Sequence, residues 1–103
     1  MPSNTPPEPE PHEATEVPPW DSRREPEPAV QTWDRLTRPV LAVRVRSRWE
    51  RCPIISVQLY RDGHVAVQVD IHLDSDTVYQ ARTYRWDPRA MYILRRGDPP
   101  HEL

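Results

Sequence analysis

Three groups of residues in this sequence carry possible chemistry. In "VDIHLDSD", Asp70, His72 and Asp74 fall on alternate positions, with Asp76 two residues further on. Alternate side chains of an extended chain share a face. Two carboxylates and an imidazole in line could hold Mg²⁺, Mn²⁺ or Zn²⁺, or act as general acid and base. Asp-Ser-Asp is also ordinary turn composition, and alternate strand residues splay apart as a sheet twists. No metal or other cofactor is therefore expected, and Asp70, His72 and Asp74 support only a second alternative, a metal-dependent enzyme.

The lone cysteine, Cys52, sits between Arg51 and Pro53. A neighbouring guanidinium can lower a thiol pKa and favour the nucleophilic thiolate. Neither His64 nor His72 stands in a sequence relation that marks it as a partner base, so Cys52 reads as an incidental loop thiol. The third group opens in "PVLAVRVRSRW", where Arg44, Arg46 and Arg48 alternate with Val43, Val45 and Trp49. Such a comb spaces its cations about 6.8 Å apart, close to the spacing of successive phosphates on an extended strand. With Tyr60, His64, Arg82, Tyr84 and Trp86 on the same outward face, it would offer charge for phosphates and rings on which bases stack. A sheet also needs polar residues wherever it meets water, and arginine is the only basic residue besides histidine that this chain uses.

The elements that must position these groups follow from periodicity. Leu41, Val43, Val45 and Trp49 alternate with Ala42, Arg44, Arg46 and Arg48, which predicts one strand. Glu50–Pro53 breaks it. A second strand turns Ile55, Val57 and Leu59 inward and Ser56, Gln58 and Tyr60 outward. A third turns Val65, Val67, Val69, Ile71 and Leu73 inward, with His64, Ala66, Gln68, Asp70 and His72 outward. Between these two, a three-residue loop, Arg61-Asp62-Gly63, keeps the apolar faces aligned: Leu59 meets Val65, Val57 meets Val67 and Ile55 meets Val69. A two-residue turn would set apolar against polar residues. In a fourth strand, "TVYQARTYRW", continued parity puts Tyr79 and Ala81 inward and Arg82, Tyr84 and Trp86 outward. Residues 88–96 suit a short helix after Asp87 or a fifth strand over Met91–Arg95. Thr32–Leu36 could add one helical turn.

Charge divides the chain. Residues 1–30 hold nine of the 14 prolines and a net charge of −5, whereas residues 31–103 carry +3. The first stretch is expected to be a disordered acidic arm. A small β-rich domain over 31–97 and a flexible tail over 98–103 follow. The fold class is thus mainly β, or small α+β: a four- to five-stranded antiparallel meander with at most one short C-terminal helix. Without lysine there can be no Schiff base and no P-loop lysine, and two glycines make no phosphate cradle. The absence of Lys and Phe points to a GC-rich gene, of the kind actinobacteria carry. No membrane-length apolar run or signal sequence is evident, and a single cysteine suits the cytoplasm.

These features favour a small non-enzymatic interaction module that binds an unknown protein partner, or itself, through its sheet face or edge. The first alternative is nucleic-acid binding by the arginine and aromatic face. A core of this size without staples favours a homodimer.

Overall fold

Valine, leucine and isoleucine on alternate positions dominate the second half of the chain, and they build sheet. The computed structural model describes residues 12–73 and 78–94. It contains six strands and, among the described residues, no helix: β1 Ala29–Thr32, β2 Val40–Val45, β3 Arg48–Leu59, β4 Val65–Ile71, β5 Gln80–Arg85 and β6 Met91–Leu94. All pair antiparallel in the order β5-β4-β3-β2-β6, with β1 also on β3. Residues 1–11, Asp74, Asp76 and the expected tail over 98–103 lie outside the described residues.

Twelve-residue β3 is the spine. Its first half pairs with β2, from Val45↔Arg48 to Val40↔Pro53. Its second half pairs with β1, from Thr32↔Ser56 to Ala29↔Leu59. Strands β1 and β2 thus follow one another along one edge of β3, interrupted by residues 33–39. Proline 53 does not break the strand, because the N–H of Ile54 makes the bond to Pro39 O (2.9 Å).

The single strand expected over residues 41–49 is instead a hairpin. Arg46 and Ser47 form its two-residue turn, with φ of 50° and 65°. Two successive left-handed residues match the twist of the flanking strands, as in a type I′ turn. The turn folds Trp49 back beside Arg44, on the face opposite Leu41, Val43 and Val45.

The β3–β4 register agrees with expectation near its loop: Leu59↔Val65 and Val57↔Val67. Gly63 has φ +95°. Further along, a bulge at Ile55 pairs Ile54, not Ile55, with Val69. The extra residue puts Ile54 on the same face as Val57 and Leu59. Nothing lies within 4 Å of where a Cβ on Gly63 would stand, so Gly63→Val should act through backbone strain alone. Urea melts should show a loss of more than about 1 kcal/mol.

Strand β5 inverts the expected parity. Val67↔Tyr84 and Val69↔Arg82 place Tyr84 and Arg82 on the core face, while Thr83 and Ala81 face the other way. Tyr84 is 3% exposed and Tyr79 is 51% exposed. The C-terminal ambiguity resolves to strand: Asp87 accepts the N–H of Arg89 in a turn, and Met91–Leu94 then pairs with Val43–Val40 of β2.

The core gathers Leu41, Val43, Val45, Cys52, Ile54, Val67, Val69, Ile71, Tyr84 and Met91. Residues 12–17 of the expected arm run beside it. Ala14 N–H donates to Arg44 O of β2 (2.8 Å), Val17 N–H donates to Thr83 O of β5, and Thr15 O accepts from Arg85 N–H (both 2.9 Å). These bonds join the two ends of a curled sheet. The reason is local: His12–Val17 contains no proline, so this stretch keeps its ladder donors, while Pro18, Pro19, Pro26 and Pro28 lie outside it.

Candidate functional site

The eight residues expected on one binding face fall in three places. Around the β2–β3 hairpin, Arg44 lies with its guanidinium carbon 5.8 Å from the Trp49 ring centroid and donates to Ser47 O (3.3 Å). Trp49 in turn tilts against Tyr92, at 5.0 Å between centroids. Arg46, in the turn, donates to Leu73 O (2.6 Å), and Arg48 pairs with Glu50 (3.1 Å). The comb therefore does not exist as a row: the hairpin splits it, and each guanidinium has a partner in the chain.

At the β3–β4 loop, Tyr60 and His64 stack, with ring centroids 4.1 Å apart and planes 9° from parallel. His64 N–H donates to Asp62 Oδ1 (3.0 Å), and its Nδ1 meets the same oxygen. The backbone N–H of His64 is the chief reason that the Asp62 carboxyl lies below the ordinary range, and burial pushes the Tyr60 phenol up. Tyr60 begins a side-chain relay along β3: Tyr60 OH to Gln58, Gln58 to Ser56, and Ser56 to Gln68. A hollow of about 280 Å³ lies here, lined by Tyr60, Asp62, His64 and Arg85 from the sheet and by Val17, Pro18, Arg24 and Glu25 from the arm. The arm thus crosses the face that was expected to be wet.

On β5, Arg82 bridges Glu16 of the arm (3.0 Å) and Gln80 (2.7 Å). Tyr84 fills the core instead of facing outward. Its phenol is pushed up to about 12, first by burial and then by the charge of Glu16. Trp86 N–H donates to Val65 O (2.9 Å), which sets Trp86 across from Val65.

The other candidates are also accounted for. The Asp70 carboxylate is taken by Arg38 (3.2 Å), and the His72 ring packs on Tyr79 at 3.8 Å. Among the described residues no cluster of three His, Cys, Asp or Glu could hold a metal ion. Cys52 is a fully buried strand residue rather than a loop thiol. Burial, reinforced by the charges of Glu50 and Asp70, pushes it up to about 12. That leaves it protonated and inert as a nucleophile at neutral pH.

One surface was not legible beforehand. Ala29, Leu59 and Val65 form a row across β1, β3 and β4, continued by Trp86 just past the end of β5, on the core face of the sheet at its uncovered end. Leu59 is 51% and Trp86 38% exposed. Val57, next on the same face of β3, and Trp33, just past β1, are half-buried against the core. The chain matches no known protein family, no curated protein and no solved structure.

Proposed function

We propose that this chain is a small non-enzymatic protein-binding module, with the row Leu59–Val65–Trp86 as its contact surface. The observation that carries the reading is the exposure of two large apolar side chains, Leu59 and Trp86, on either side of half-buried Val65 at the open end of the core face. Contiguous apolar surface on a soluble domain marks interaction sites, and tryptophan is enriched among residues that anchor them. The outer edge of β1, unpaired among the described residues, borders the row and can extend the contact by strand addition. The cytoplasm is the proposed setting, because the single cysteine has no disulfide partner. No helix among the described residues is long and apolar enough to cross a membrane.

Nucleic-acid binding loses support once the arginines are placed. A phosphate backbone would have to compete with Glu50 for Arg48 and with Glu16 for Arg82, and the cations follow no common track. The metal-dependent reading loses support because Arg38 already neutralises Asp70.

The test is affinity capture with the full chain, scored by mass spectrometry for proteins and with nuclease treatment for nucleic acid. Proteins held by the wild-type chain should be lost with Leu59→Glu and kept with Leu36→Glu, since Leu36 is an isolated apolar residue at 97% exposure. Retention by both variants would remove the row from consideration. Release by nuclease would favour the nucleic-acid reading.

A further inference from the structure

We infer that the slot between the β5 edge and the end of β2 is a docking site for an extended acidic segment of a partner protein. In the partner's absence, the chain's own residues 12–17 occupy it. This extends protein binding to a second surface and stands whether or not the apolar row binds anything.

The slot is built to hold a strand. It offers Thr83 O and Arg85 N–H on one side and Arg44 O on the other, and the arm engages all three. It also selects for charge. Glu16 meets Arg82 at 3.0 Å, and Glu13 accepts the N–H of Ser47 at 2.6 Å. Ordered main-chain pairing supplies affinity in strand addition, while side-chain pockets supply specificity.

The cis occupant fits poorly. Among the described residues of the arm, Ala14 alone packs against the core cluster, and it leaves a hollow of about 210 Å³ lined by Glu13, Glu16, Val45, Arg46, Leu73 and Tyr84. The larger hollow beside Val17 and Pro18 lies on the other flank. The arm is thus a stave with unfilled space on both sides. The hydrogen bonds of the segment that follows, from Pro18 to Glu27, are local, such as Trp20 to Glu25 and Arg24 to Pro19, so none of them has to break in the sheet for the arm to leave. A partner segment that keeps the two acids and carries a larger apolar side chain at the place of Ala14 would fill the first hollow. It must outcompete an arm held at an effective concentration in the millimolar range, so the better fit is what makes exchange favourable.

The experiment uses the full chain and fluorescent peptides spanning residues 12–19, one of native sequence and one with Ala14→Leu. The Ala14→Leu peptide should bind several-fold tighter, because the added carbons pack against Val45, Leu73 and the Tyr84 ring, the apolar part of that hollow's lining. The Glu16→Gln chain, whose own arm is loosened, should bind both peptides more tightly than wild type. In the Glu16→Gln chain, Arg82→Glu should weaken both by about fivefold, because the peptides keep the glutamate that the chain's own arm then lacks, and a Glu16→Arg peptide should restore binding, which separates lost recognition from lost fold. Leu59→Glu should leave peptide binding unchanged. Absence of binding to the Glu16→Gln chain at millimolar peptide would overturn the proposal, as would equal affinity of the two peptides or indifference of that chain to Arg82→Glu.

Discussion

Tyr84→Ala should destabilise the domain by about 3–5 kcal/mol, the range for removing a buried ring from a packed core. Small domains have total stabilities near the lower end of about 5–15 kcal/mol, so this one substitution should bring the chain close to unfolding at room temperature. The ring is 3% exposed and packs with Val45, Val67 and Val69 in the core cluster. It also sits beneath the arm, so its loss undermines the contact of Ala14 as well. Tyr79→Ala supplies the contrast. At 51% exposure that side chain should cost no more than about 0.5–1 kcal/mol, the usual scale for surface positions. Urea denaturation of the two variants against wild type measures both. A larger loss from Tyr79→Ala would mean that β5 presents the opposite face to the core.

That pair of tyrosines marks where the sequence stops being readable. Within β4 the alternation Val65-Val67-Val69-Ile71 admits one reading, and odd loop length carries it across Gly63 to Val57 and Leu59. In β5, "QARTYR" has no apolar alternation to follow. The side chains that decide its parity are Tyr84, which alone is large enough to close the core, and Thr83, which is buried against the relay of Ser56 and Gln68. The β2–β3 hairpin escaped notice for a different reason. Its turn is Arg46-Ser47 rather than the Asn-Gly or Asp-Gly that normally signals two left-handed residues, so the arginine comb looked like one strand. At Ile55, a bulge shifts the inward set by one residue without any glycine to announce it. The apolar row had its residues correctly assigned inward at Leu59 and Val65. What periodicity does not carry is which end of a curled sheet remains uncovered. Within the arm, proline content averaged over 30 residues hides a proline-free stretch, His12–Val17, that ends in Glu-Val, the two residues that bind Arg82 and Thr83.

Alkaline pH should unfold this protein earlier than its lack of lysine would suggest. Burial holds the Cys52 thiol up at about 12, from an ordinary 9.0, and the Tyr84 phenol at about 12, from 10.0. Both groups bind their proton more tightly in the folded chain than in the unfolded one. Their contribution is therefore complete below about pH 9 and is lost as pH rises toward about 12, by roughly 1.4 kcal/mol per pH unit for each group inside its own window. Tyr60, also raised by burial, adds in the same direction. All of the chain's long basic side chains are arginine, and they stay charged throughout this range, so neutralised cations do not contribute to the loss. The expected result is a urea midpoint that is flat from about pH 7 to pH 9 and falls steeply from there to pH 11. Cys52→Ala should start from a lower midpoint, since it leaves a small cavity, yet fall less steeply, because the first group to titrate is gone. Tyr84→Phe should remove the later part of the descent while keeping the ring in the core. Parallel descents in wild type and Cys52→Ala would mean that the thiol reaches solvent in the folded chain, and the packing of β3 against β2 at Leu41 and Cys52 would then have to be looser than the register implies.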